Sequence, residues 1–204
     1  RVPTIHFQEA SDVEGGSFRR LFERFGGGLR AVELAAPHLK GYFKRSLEAL
    51  LLSAPRLQTL RVTLCDNTTF PTAAPANWDV EAEAGAALRA LELEGAERLR
   101  PAALSRVVSR AGGSLRELRV TDAALVDSAM LRLLGRAGCP LRRLELVRCG
   151  ALDQTALDHC LAATSKTLEE LDLEGCTGFT ALPDVRLPRL RSLRLDRTLV
   201  TEQG

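Results

Sequence analysis

The hydrophobic residues of this chain recur as a hexapeptide, L-x-x-L-x-L. It stands as Leu29-Val32-Leu34, Leu57-Leu60-Val62, Leu88-Leu91-Leu93, Leu115-Leu118-Val120, Leu141-Leu144-Leu146, Leu168-Leu171-Leu173 and Leu190-Leu193-Leu195. A disguised copy, Val2-Ile5-Phe7, opens the chain. Successive copies begin 27, 28, 31, 27, 26, 27 and 22 residues apart. The fourth and sixth places lie two residues apart, so they share one face of a strand. Between hexapeptides the spacing turns helical, in Phe18-Leu21-Phe22-Phe25, Leu47-Leu50-Leu51, Leu104-Val107-Val108, Met130-Leu131-Leu133-Leu134 and Leu157-Leu161. Pro101 suits the first turn of a helix, and Asp127 and Asp153 stand where N-caps belong. Gly26-Gly27-Gly28 and Gly112-Gly113 stop two helices before the next strand. Strand and helix alternating with a period near 27 residues predict an α/β solenoid of about eight repeats around a parallel sheet. Each unit then buries its apolar side only by stacking on its neighbours.

This organisation reads as one domain over residues 1–204 with no linker. The longest interval holds Asn67-Thr68-Thr69-Phe70-Pro71 through Pro75-Ala76-Asn77-Trp78, which predicts an insertion loop near residues 66–84. Arg1 begins directly at a strand, and nine residues follow Leu195, too few for a closing helix. Because solenoids need polar caps over their terminal units, the expectation is a fragment of a longer polypeptide.

Three copies extend to L-x-x-L-x-L-x-x-C, as Leu57…Cys65, Leu141…Cys149 and Leu168…Cys176, and Cys139 stands two places before Leu141. Across essentially the whole chain the pattern resembles the leucine-rich repeat family, most closely its cysteine-containing subclass. Ala10, Pro37, Ala96, Ala123 and Thr198 replace the cysteine in the other copies. The resemblance implies a right-handed βα horseshoe with the parallel sheet on its concave face. The short last interval, with Leu182-Pro183 inside it, resembles the repeat type whose return segment is extended rather than helical.

Composition changes this picture little. The chain is 45% hydrophobic and 26% charged, with a net charge of only +2. That balance argues against nucleic acid as a partner and against a polybasic membrane anchor. Of 28 basic residues only Lys40, Lys44 and Lys166 are lysines. No apolar run approaches the ~20 residues of a membrane span, and no secretory signal opens the sequence.

Nothing in the sequence points to catalysis, a cofactor or a metal. There is no C-x-x-C, and His6, His38 and His159 fall on separate segments, so zinc spacing is not met. Cys65, Cys149 and Cys176 sit just after their strands, where a free thiol serves as a small buried residue. Cys149 and Cys176 fall on adjacent units, near enough for a disulfide, but a ladder of free thiols is the preferred reading. It implies the cytoplasm or another reducing intracellular compartment. His159 and Cys160 are neighbours, yet adjacent helical residues point about 100° apart. Cys160 belongs to the apolar side with Leu157 and Leu161, and His159 to solvent. Asn67-Thr68-Thr69 formally matches a glycosylation acceptor and reads as an accident of a polar loop.

The informative positions are those facing away from the core. The fifth places give His6, Glu33, Arg61, Glu92, Arg119, Glu145, Asp172 and Arg194, a ladder of nearly alternating sign. Parallel strands stand about 4.8 Å apart, so opposite charges on adjacent strands compensate one another. Alternation fails at Glu145 and Asp172. Around that break Glu169, Glu170, Asp172 and Glu174 put four acids on one strand, flanked by Arg143 and Arg194. We single out Glu170, Asp172, Glu174, Arg143, Arg194, Arg119 and Glu145 as a patch facing a basic partner. Trp78, the only tryptophan, joins them as an aromatic on an irregular loop. The second places put Arg30, Arg89, Arg116, Arg142 and Arg191 along one margin, an edge suited to an acidic or phosphorylated partner because the guanidinium fork matches carboxylate and phosphate.

The resulting expectation is a non-enzymatic protein–protein interaction scaffold. Resemblance to cysteine-containing leucine-rich repeats implies the substrate-recognition part of an F-box-type ubiquitin ligase receptor, although no F-box is visible. The alternative is a constitutive structural subunit of a large ciliary, ribosomal or organellar assembly. A GTPase-activating leucine-rich repeat protein is a weaker fit, since its longer repeats and acidic tail are not seen.

Overall fold

Alternation within each hexapeptide produces one strand per copy, and the strands join a single sheet. The computed structural model describes residues 4–7, 15–36, 50–51, 53–64, 86–95, 101–123, 128–150 and 152–201. In chain order the elements are β1 (Thr4–Phe7), α1 (Gly15–Phe25), β2 (Ala31–Ala36), β3 (Thr59–Leu64), β4 (Ala90–Glu94), α2 (Pro101–Ala111), β5 (Glu117–Thr121), α3 (Ser128–Ala137), β6 (Arg143–Val147), α4 (Gln154–Thr164), β7 (Glu170–Asp172) and β8 (Ser192–Arg194). The eight strands lie in sequence order, each parallel to the next. The fold is therefore α/β around an all-parallel sheet. The insertion loop expected near 66–84, with Trp78, lies outside the described residues, as do Cys65 and Asp127.

Register is what carries the hydrophobic pattern into three dimensions. Val32, Leu60, Leu91, Leu118, Leu144, Leu171 and Leu193 face one another rung by rung, and the sixth places do the same from Leu34 to Leu146. Up to β7 these side chains are buried, and one continuous core runs from Phe22 to Phe179. Parallel strands covered on one side by helices need this unbroken aliphatic spine. On β8 the spine surfaces: Leu193 is 44% exposed.

The helices end where their residues dictate. Pro101 takes the first helical position of α2, and Asp153 caps α4, its carboxylate accepting from the Ala156 amide at 2.7 Å. Gly26–Gly28 closes α1 with a 3₁₀ turn. Helices α2, α3 and α4 pack in order on one another. The α3–α4 approach is close, since a Cβ on Gly135 would stand 2.5 Å from the His159 ring. Residues 173–191 contain no helix, which agrees with the extended return read from the last interval. The helical spacing of Phe18-Leu21-Phe22-Phe25 falls within α1. Phe25 carries the helical spacing of Phe18, Leu21 and Phe22 but is 53% exposed, beneath the Arg24 guanidinium 5.4 Å from its ring centroid.

Candidate functional site

The face of the sheet opposite the core is a lattice of charged columns, because register also aligns the outward places. Along the fifth column His6, Glu33, Arg61, Glu92, Arg119, Glu145, Asp172 and Arg194 pair in that order across β1 to β8. Arg61 spans two rungs, 3.6 Å from Glu33 and bidentate to Glu92 at 2.7 and 2.9 Å. Hydrogen bonding from Arg61 holds the Glu92 carboxyl below the usual carboxylate range against the opposing effect of burial. Arg119 reaches Glu145 at 3.1 Å and Arg194 reaches Asp172 at 3.3 Å. Compensation along the ladder is thus built in, at about 0–1 kcal/mol for each exposed pair.

The break between Glu145 and Asp172 is real in the register. Nothing cationic separates the two along the column. Charge comes from the sides: Arg143 bridges Glu145 at 3.7 Å and Glu170 at 2.7 Å, and Arg194 extends to Glu174 at 3.9 Å. Its hydrogen bond with Glu170 raises the Arg143 pKa. Three arginines therefore serve four carboxylates.

Over this break lies a hollow of about 430 Å³. Six of the residues singled out from the sequence line it: Arg119, Glu145, Glu170, Asp172, Glu174 and Arg194. Arg143 stands beside it through its bonds to Glu145 and Glu170, and Trp78 lies outside the described residues. The sequence reading missed Glu94, Thr121, Val147, Arg148 and Ser192, which with the core residue Leu171 complete the wall. Glu94, Thr121, Val147 and Glu174 are all seventh places, so carrying the alternation one step further along each strand would have found them.

Two of the missed residues set the hollow's edge. The Arg148 guanidinium grips Asp122 through both carboxylate oxygens, one contact being 2.7 Å, and holds its carboxyl below the usual range. Thr121 is only 4% exposed, and its hydroxyl makes no hydrogen bond among the described residues. A buried hydroxyl without a partner is costly, and this one borders the hollow.

The thiols lie elsewhere. Cys139, Cys149, Cys160 and Cys176 are free and buried. Burial pushes Cys139 up to about 11 and Cys160 up to about 12. Cys149 is raised by its hydrogen bond with Cys176 and by burial, and Cys176 lies 2.8 Å from the Leu146 carbonyl. Thiols held neutral in this way, as at Cys139, Cys149 and Cys160, are poor nucleophiles. His159 is exposed and Cys160 buried, so the two do not form a nucleophile–base pair. Among the described residues no group of three or more His, Cys, Asp or Glu is arranged to hold a metal ion, and no helix is long and apolar enough to cross a membrane.

Comparison with models of known protein families, with curated proteins and with solved structures finds no match to this chain.

Proposed function

We propose that this chain is a leucine-rich repeat horseshoe whose strand face is a non-enzymatic protein-recognition surface. One observation carries the reading: the only interruption of the alternating ladder among β2 to β8 coincides with a hollow walled by Glu145, Glu170, Asp172 and Glu174. Elsewhere the column is spent on itself. Here carboxylates outnumber the guanidinium groups that serve them, which suits a basic side chain from a partner protein.

The test is capture of binding partners by the full chain and by the Glu170→Lys, Asp172→Lys double variant. Both acids pair with arginines whose side chains are 44% and 59% exposed, so the variant should fold, losing about 1 kcal/mol for each pair. Partner capture should fall sharply. Capture that survives the double reversal removes the hollow from the recognition surface.

On the same reading the scaffold is the substrate-recognition part of an F-box-type ubiquitin ligase receptor. The support is the cysteine-bearing form of the repeat, and purification of the polypeptide from cells then brings down a cullin adaptor. A constitutive structural subunit is the second reading, favoured by the self-neutralised ladder. It places all of the protein in one large particle on size-exclusion chromatography, where a receptor divides between free and bound pools.

A further inference from the structure

The margin of the sheet obeys a different rule from its centre. At the second place of each copy the backbone carbonyl accepts two amides from the next unit. Arg89 accepts from Arg116 and Glu117 at 2.7 and 2.9 Å, Arg116 from Arg142 and Arg143 at 2.7 and 3.1 Å, and Arg142 from Glu169 and Glu170 at 2.7 and 2.9 Å. The same double acceptance runs from Arg30 to Gln58 and from Glu169 to Arg191. The backbone is thereby locked in register, and Arg89, Arg116 and Arg142 stand on three consecutive units, spanning about 10 Å.

Like charges directly opposite one another on adjacent strands are destabilising. The fifth column avoids this by alternating sign; the second column does not. Nor is its charge much used among the described residues. Arg30, Arg89 and Arg191 are exposed and make no ion pair among the described residues. Arg116 has one long hydrogen bond, 3.4 Å to the Pro140 carbonyl. Arg142 comes no nearer to Glu169 than 4.0 Å, with 61% of its side chain exposed. Among the described residues the charges at the centre of the sheet are mostly paired, whereas the arginines along its margin make at most one long contact each.

We propose that this arginine file is a docking site for an extended acidic segment of a partner protein. Immediately before the arginines in the chain lies an uncharged ledge: Ala86-Ala87, Gly113-Ser114 and Pro140. The ledge is firm, because Ser114 Oγ lies 2.8 Å from the Ala86 carbonyl and 2.7 Å from that of Leu88 on the neighbouring unit. An extended backbone lying across it presents alternate side chains every ~6.7 Å. Two acidic side chains on one side of such a segment then fall within reach of three guanidinium forks, each able to donate two parallel bonds to a carboxylate.

Width and chemistry favour a peptide over nucleic acid. The file is one residue wide, and on its inner side Glu92, Glu117 and Glu145 outnumber Arg119 and Arg143, so anything broader meets charges of both signs with acids in excess. The strands from β2 to β8 carry no aromatic residue on which bases could stack. The inference needs only the register and does not depend on the function proposed for the hollow.

A fluorescent decapeptide of alternating glutamate and serine, titrated into the full chain by anisotropy, tests it. Binding should be saturable and should weaken as salt rises from about 50 to about 200 mM. The Arg89→Gln, Arg116→Gln, Arg142→Gln triple variant should lose about tenfold or more in affinity. Its thermal midpoint should hold or rise, because a like-charge file has been relaxed. Arg136→Gln, at an exposed position of α3, should leave peptide affinity unchanged. Absence of binding, a triple variant that binds as tightly as the parent, or a ten-nucleotide single-stranded RNA that binds as tightly as the peptide would each overturn the proposal.

Discussion

Just beyond each of the strands β4 to β8, one residue turns the chain. Gly95, Asp122, Arg148, Gly175 and Arg197 all occupy the eighth place of their copies, with φ of 68, 56, 54, 69 and 58°. This left-handed geometry costs a non-glycine residue about 1–2 kcal/mol. At Asp122 and Arg148 the cost coincides with their mutual ion pair. Arg197 makes no ion pair among the described residues, so Arg197→Gly should raise unfolding free energy by about 0.5 kcal/mol in a urea titration, the relief being partly offset by glycine's unfolded-state freedom. The opposite change at Gly178 should be severe. Its φ is +94°, and an added Cβ would stand 2.3 Å from the Leu152 carbonyl oxygen. Gly178→Ala should cost about 2 kcal/mol or more in the same experiment. The eighth-place turn was not legible in the sequence, because glycine marks it in only two of the five copies. Its geometry is imposed by the stack rather than by residue type. The pH dependence belongs here as well. The Asp122 and Glu92 pKa values are depressed in the fold, so their stabilisation is complete above the unfolded-state value near 4 and fades as pH falls through the folded-state values. Thermal midpoints measured from neutral pH down to about pH 3 should fall less steeply for Asp122→Asn than for the parent.

Among the elements, strands and their successors behaved as patterning requires, and the cysteines followed. Cys149 and Cys176 lie just beyond β6 and β7, Cys139 just before β6, and Cys160 on the inner side of α4. All four are buried. In the native protein these thiols should resist iodoacetamide at neutral pH over hours, and they should react fully once the chain is unfolded. Rapid native labelling at any of the four would contradict the packing of that unit. Helical faces were less legible than strands. Phe25 carries a helical period yet lies outside the core, because α1 gives way to the Gly26–Gly28 turn, where the backbone of Ser53 leaves no room for a Cβ on Gly26. The charge break was legible because it needs only strand alternation and register. The hollow's remaining wall was not, since Arg148 reaches it from the turn beyond β6 rather than from a strand position.

Across the whole sheet each strand lies between its neighbours in sequence, so burial depends on position in the strand order. Position along the stack should then govern the cost of an identical truncation. Leu144 is fully buried between Leu118 and Leu171, whereas Leu193 is covered on one side only. Leu144→Ala should cost about 2–5 kcal/mol and Leu193→Ala less than about 1 kcal/mol, read from chemical denaturation. The parallel, sequence-ordered sheet was legible because one hexapeptide recurs with little change, and the 22-residue interval before β8 announced the loss of a helix there. Every functional reading depends on the same property, that equivalent places of successive units stand side by side. Nitroxide labels at Arg61 and Arg194, and separately at Gln58 and Arg191, measure this by pulsed electron resonance. Each pair spans five strand steps, so both backbone separations should be about 24 Å, less any curvature. Separations that differ between the two pairs by more than a strand spacing, or that lie far outside this span, would mean that the charge columns do not exist.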